Sequence, residues 1–320
     1  MRVRIVAPCR AHLGLIGLSR HSSRGYGGAG VALWHQSTVV EIESRSEPRI
    51  EIEGVDDDSR RHIENLLASA DIGRVRVSVV RRVPPHVGLG SKTALLLACV
   101  EGAMVVSGMP APPMEVVRIA GRGGASGVGV NTYFSGGIVA DMGHSMRSIR
   151  SFAPSGRRVG FFPPAPLYRF DFPAAWSIAL ILPRAGQGLH SFAESRFFSS
   201  NTELDRSECA SVAMALTFEL PAAIAECDIH ACAEAFRWSR STGFKARELL
   251  SQPATRELLY QLDPLPGVAT TMSSMGPAIV VIADDPSALA PVRELAHPDN
   301  GWDIVTGTAA NTGRRISASP

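Results

Sequence analysis

Two glycine-rich stretches carry the residue types that could do chemistry. The first is Gly88-Leu89-Gly90-Ser91-Lys92-Thr93, between an alternating segment and an apolar run. Glycines at a strand–helix junction let consecutive N–H groups turn inward, and a helix N-terminus adds a favourable dipole. Lys92 puts a point charge at that mouth. Ser91 and Thr93 offer hydroxyls to a cap, a phosphate or a metal-bound water. The chemistry would be the binding of a polyanion. On the residues alone, a tight turn followed by a helix cap weighs as much. The stretch is not a Walker A loop, because the leading glycine of G-x-x-x-x-G-K-[ST] is missing. The second stretch is Gly121-Arg122-Gly123-Gly124-Ala125-Ser126-Gly127-Val128-Gly129-Val130-Asn131. Glycine at this density costs chain entropy unless something must approach the backbone closely. Arg122 within it is a bidentate donor for phosphate or carboxylate. Asp141, Gly143 and His144 follow at a strand end. Apolar segments on both sides argue against a flexible surface loop.

These loops need elements to hold them. Residues 3–7 alternate as a strand, and residues 74–82 alternate with Val75, Val77 and Val79 on one face. Residues 94–106 are apolar for too long to be a strand and read as a buried helix. Residues 14–30 are glycine-rich, and no strand is assigned there. Further strands are expected at 38–43, 49–53, 136–141, 177–182, 278–283 and 302–307. Helices are expected at 116–120, 203–218, 221–238, 247–262 and 288–295. Residues 151–173, rich in Pro, Gly, Arg and Phe, read as a linker or long loop. Strands and helices mix without strict βαβα order, which favours α+β. The expected division is 1–160 and 161–320.

Composition excludes several classes. The chain has 320 residues and a formal charge of only +2, too near neutral for a dedicated nucleic-acid binder. With 19% charged and 45% hydrophobic residues it is globular and not disordered. No apolar run reaches about 18 residues, so no membrane span is expected. The N-terminus lacks a signal-like apolar region, and five cysteines form no regular framework. Both fit a cytoplasmic protein. Cys227, His230 and Cys232 lie close together but in a helical stretch without a second ligand pair, so core cysteines are the better reading than zinc. Of 32 cationic residues only Lys92 and Lys245 are lysine. Lys245, in Thr242-Gly243-Phe244-Lys245, reads as a basic residue near a helix C-cap.

Pro84 and Gly88-Leu89-Gly90-Ser91 resemble the second motif of the GHMP kinase superfamily, Pro-x-x-x-Gly-Leu-Gly-Ser-Ser. Residues 8–33 resemble its first motif. Ser273-Ser274-Met275-Gly276-Pro277 resembles its third. The resemblance implies a ribosomal S5-type N-terminal domain and a ferredoxin-like C-terminal domain. One departure matters. Such kinases commonly carry Ser-Gly-x-Asp where this chain has Ser126-Gly127-Val128-Gly129, so the usual catalytic carboxylate is replaced by Gly129. The chain is closer to a non-kinase branch, the β-ribofuranosylaminobenzene 5′-phosphate synthases. Their Gly-Arg-Gly-x-x-Ser-Gly-x-Gly-Val pattern, with a later Asp-x-Gly-His, matches Gly121 through His144. Arg10-Ala11-His12-Leu13-Gly14-Leu15 and His86-Val87-Gly88 match as well. A similar Gly-Phe-Lys stretch in that family brings Lys245 toward the site.

The resemblance implies transfer of ribose 5-phosphate from phosphoribosyl pyrophosphate (PRPP) to a ring carbon of an aromatic or heteroaromatic carboxylate, with loss of CO2 and pyrophosphate. Related enzymes of C-nucleoside antibiotic pathways use a pyrazole carboxylate. The implied catalytic residues are His12, Lys92, Arg122 and His144. Implied binding residues are Arg10, His86, Gly88, Leu89, Gly90, Ser91, Thr93, Gly123, Gly124, Ser126, Gly127, Gly129, Asn131, Asp141, Lys245, Ser273, Ser274 and Gly276. Mg2+ would assist, bound mostly through phosphate, and a homodimer is implied. The rivals are an ATP-dependent GHMP kinase and a non-catalytic paralogue. The 186–196 stretch, with His190, Glu194 and Arg196, reads as a mobile lid from composition.

Overall fold

The first strand, Arg2–Ile16, runs well past the alternation at its start. In the computed structural model, which describes residues 1–155, 162–184 and 191–320, it pairs antiparallel with Gly27–Ser44 along most of its length. Two irregularities, between Ala7 and Cys9 and between His12 and Gly14, let it serve two cores. Val3, Ile5 and Ala7 face one core, with Val77 and Leu97. Cys9, Ala11 and Leu13 face another, with Ile178, Leu180, Phe236 and Val280. The intervening Arg10 and His12 are thereby presented to a cleft.

The first sheet orders Arg315–Ser319, Arg2–Ile16, Gly27–Ser44, Val75–Arg81 and Ile50–Glu53. Ile138–Asp141 and then Pro166–Phe170 continue beside the opening of Gly27–Ser44. The second sheet is antiparallel, ordered Val268–Met272, Ile279–Ala283, Ser177–Pro183, Trp302–Gly307. The class is α+β, as the mixed element order indicated. The expected boundary at 160 does not follow the sheets, since Pro166–Phe170 and Arg315–Ser319 both join the first one. Neither strand was legible. The first lay in a Pro-rich stretch, and the second is exposed along its length, with no apolar face to betray it.

The Ser91–Val106 helix is apolar all round because it is covered all round. The sheet lies on one side, and Asp57–Ser69, Pro113–Ala120 and Val128–Ser135 lie on the others. Fully burying side chains such as Leu95, Leu96 and Leu97 contributes about 1.5–3 kcal/mol each. The glycine-rich stretch before residue 30 is strand after all. A Cβ on Gly30 would meet Val128 Cγ1 at 2.5 Å, and one on Gly28 would meet Ser126 Oγ at 2.5 Å. Glycine lets the Val128–Ser135 helix and its preceding loop sit directly on the strand.

Arg206–Glu226 is long and apolar enough to cross a membrane by length and composition alone. It is nonetheless interrupted by a π turn at Ala215–Glu219, and Leu216, Leu220, Ala223 and Ile224 belong to the second core. Cys227 is exposed and Cys232 buried, and no group of three metal-ligating side chains occurs among the described residues.

Candidate functional site

The cleft forms where the first strand, the glycine loops, the Ser191–Asn201 and Gly243–Leu250 helices and the 273–276 turn converge. Of the sequence-predicted residues, Arg10, His12, Thr93, Arg122, Gly123, Ser126, Gly129, Lys245 and Ser274 line it. Arg10 is seated by the first glycine loop. Its Nη1 donates to Gly88 O at 3.2 Å, and a Cβ on Gly90 would strike its Cγ at 2.7 Å. Gly88 and Gly90 both hold positive φ, which glycine adopts without strain. Ser273 Oγ donates to Gly88 O (2.8 Å) and accepts from His12 N (3.0 Å), which ties the third motif to the first and second. Gly88, Leu89, Gly90, Ser273 and Gly276 therefore shape the cleft from behind. Neither they nor His86, Ser91, Gly124 and Asn131 line it.

Three assignments change. Lys92 is exposed at the first turn of Ser91–Val106, outside the cleft wall. Partial withdrawal from water and the Arg122 cation lower its pKa, against the pull of Glu194. His144 does not face the cleft; its Nε2 donates to the Ala125 carbonyl at 2.7 Å, since a carbonyl can only accept. Asp141 is buried, and its carboxylate is engaged by the protein itself. Its carboxylate accepts from Ser126 Oγ (2.8 Å), Gly127 N (2.9 Å) and Gly143 N (2.9 Å). Both residues staple the second glycine loop in place.

The electrostatics favour an anion. Burial, together with repulsion from the nearby Arg122 cation, lowers Arg10 to about 10. Arg10 Nε is buried without a partner among the described residues. Arg122 spends Nε and Nη2 on the Thr93 hydroxyl at 3.2 and 3.0 Å, a neutral acceptor. His12 is held well below the ordinary imidazole range by burial and by the Arg10 and Lys245 cations, so it is neutral. The carboxylates are Glu194, on Ser191–Asn201, and Glu248, one turn after Lys245. Sequence reading placed Glu194 only in a lid inferred from composition, and missed Glu248. Residues 186–190 of that lid lie outside the described residues. Gly129 lines the cleft, with the Thr93 methyl 3.2 Å from where its Cβ would be, so no carboxylate stands at this point.

No family profile matches the chain. The β-ribofuranosylphenol 5′-phosphate synthase of Methanothermobacter thermautotrophicus is 30% identical, over 95% of each chain. Identically named proteins of Archaeoglobus fulgidus and Methanocaldococcus jannaschii are 29% and 26% identical, over 88% of each chain and over 98% and 99%. The chain belongs to this synthase family. It is therefore an enzyme, a ribosyl-transferring one. The synthase has the GHMP kinase fold. Homoserine kinase of Cytophaga hutchinsonii superposes with a TM-score of 0.70 at 15% identity, over 99% of this chain and 97% of that one. Mevalonate diphosphate decarboxylase of Staphylococcus aureus gives 0.61 at 12%, over 99% and 98%. At such identities these structures speak for the fold alone. The curated synthases carry the phenol name where the aminobenzene name was expected; the family is the same.

Proposed function

We propose that the enzyme transfers ribose 5-phosphate from PRPP to the carboxylate-bearing ring carbon of an aromatic or heteroaromatic acid, releasing CO2 and pyrophosphate. The carrying observation is a pair of half-buried guanidiniums: among the described residues, Arg10 Nε has no partner and Arg122 bonds to the hydroxyls of Thr93 and Ser155. Two anions meet in this reaction, the pyrophosphate and the acceptor carboxylate. Arg122, with Lys92 at the rim, suits the charge that builds on pyrophosphate as the C1 bond breaks. Arg10 suits the acceptor carboxylate, which it would orient. Neutral His12 can donate a hydrogen bond without adding a third charge. The relatives' name favours 4-hydroxybenzoate, because loss of its CO2 leaves a ribosylated phenol. A pyrazole carboxylate, as in C-nucleoside formation, is the heteroaromatic counterpart. The kinase reading lacks its carboxylate at Gly129.

Mg2+ belongs to this proposal as an ion carried by the pyrophosphate, where it would offset negative charge. The donor set fits that role. No three-residue ligand cluster is present among the described residues, and Glu194 could supply a single oxygen. A homodimer is also proposed, by family likeness, and light scattering tests it. The decisive assay supplies PRPP, Mg2+ and each candidate acid, and follows CO2 and pyrophosphate together. Equal release of both with one acid supports the reading. Pyrophosphate without CO2 refutes it, and ATP consumption with a phosphorylated product establishes the kinase instead.

A further inference from the structure

We propose that Glu248 is the general base that takes the O–H or N–H proton of the acceptor ring, and so selects acceptors that carry such a group. The inference rests on the ribosyl-transfer reading and goes one step beyond it. Its starting point is a pair of residues that the transfer scheme leaves without work. Lys245 and Glu248 are one turn apart on Gly243–Leu250, their side chains 2% and 4% exposed, with Nζ and Oε2 2.5 Å apart. Lys245 also donates to the Ser274 carbonyl at 2.5 Å, and Ser274 N in turn donates to His12 O at 2.7 Å. The pair is thus fastened to the cleft floor.

Holding the helix does not require this pair. Phe244 and Leu249 already anchor the helix in two cores, and a buried ion pair is often no better for stability than apolar residues of similar size. Its geometry points to the cleft. Lys245 occupies Oε2, and among the described residues nothing donates to Oε1. Glu248 lines the cleft together with Arg10 and His12.

The chemistry explains what Oε1 would receive. In 4-hydroxybenzoate, 4-aminobenzoate and a pyrazole carboxylate alike, an O–H or N–H is conjugated with the carbon that bears the carboxylate. Moving that proton to Glu248 pushes an electron pair onto this carbon. The carbon bonds to C1 of the ribose as the C1–O bond to pyrophosphate breaks. For the hydroxy acid the product of this step is a ring ketone with ribose and carboxylate on one tetrahedral carbon. The C–CO2 bond then breaks, its electron pair restores the ring, and the oxygen recovers its proton from Glu248. Protons and electrons balance with no further reactant. Burial pushes the Glu248 pKa up, and so does the Glu194 carboxylate across the cleft, while Lys245 and Arg10 pull it back. That is the direction a base working near neutrality needs. His12, with its proton affinity held down, is the poorer base.

Two measurements test this. In the wild-type enzyme, 4-methoxybenzoate keeps the electron-donating oxygen but has no proton to give. Its kcat/KM should fall below that of 4-hydroxybenzoate by about a hundredfold or more. Glu248→Gln should lower kcat with 4-hydroxybenzoate by a similar factor, leave the KM for PRPP within a few-fold, and abolish the acidic limb of the rate profile. The groups facing Glu248 are Lys245 on its own helix, Arg10 and His12 on the first strand, and Glu194 on Ser191–Asn201. A limb that survives in Glu248→Gln would belong to one of them and would overturn the assignment. Comparable turnover of the methoxy acid overturns it without any variant that must fold. Should wild-type enzyme release neither CO2 nor pyrophosphate with any acid, the transfer reading itself fails and this inference falls with it.

Discussion

Glu101 and Glu248 are both buried carboxylates paired with a cation, yet they are treated differently by their surroundings. Glu101 lies inside Ser91–Val106 and accepts from three donors. Arg314 reaches both carboxylate oxygens, with Nε at 3.1 Å from each and Nη2 at 2.6 Å, and the Tyr133 hydroxyl donates at 2.6 Å. Arg314 also stacks over the Phe134 ring at 4.8 Å. This network binds the buried helix to Val128–Ser135 and to the chain just before the last strand. Glu248 has one cation on one oxygen, and the rest of it faces a cleft. A carboxylate saturated from several sides holds structure, whereas one left half-served in a cavity wall is available to a ligand.

The comparison breaks most visibly at Glu101. Glu101→Leu removes the acceptor and leaves Arg314 partly buried without its partner. Loss of one member of a buried pair costs about 3–5 kcal/mol, and Arg314, with some access to water, places this case toward the lower figure. Urea unfolding should show that loss, while the KM values of the folded fraction stay unchanged. A stability within about 1 kcal/mol of wild type would mean that the network is ornamental.

Lys92→Ala sharpens the contrast from the other side. Lys92 is exposed and packs in no core, so the unfolding midpoint should hold. The KM for PRPP should rise about tenfold, the loss of one charge-assisted contact. Unchanged kinetics would remove Lys92 from the pyrophosphate site, and a fall in stability would make it a cap.

These differences also show what the sequence could and could not convey. Arg10, His12, Arg122 and Lys245 were legible because basic residues sat in glycine-containing motifs that the family resemblance marks. Residues 242–245 were read as a helix end with a cation, and Glu248 fell in the helix expected at 247–262. Glu248 went unnoticed because Lys-x-x-Glu is what an ordinary wet helix face presents. Its burial comes from the packing of its helix against elements distant in sequence, the first strand among them. Asp141 and His144 were read as ligand contacts because motif likeness does not say which way a side chain points. Gly28 and Gly30 hid a strand because their lack of side chains serves a helix that packs on them.

Asp141 supplies the gentlest test, a slope and not a loss. It resembles Glu101 in that its oxygens are engaged, by Ser126, Gly127 and Gly143, but among the described residues no cation pairs with it. Burial therefore prevails over the three donors and raises its carboxyl from 3.8 to about 7. Between those values the folded protein keeps a proton that the unfolded chain has released. Stability from this group is therefore greatest below pH about 4 and declines as the pH climbs toward about 7. Asp141→Asn cannot titrate. Its melting temperature should start lower, through weaker staples on the second glycine loop, but should change less across that window than the wild type's. Parallel curves for the two proteins would show that Asp141 is ionised throughout, and that the loop's backbone donors outweigh burial after all.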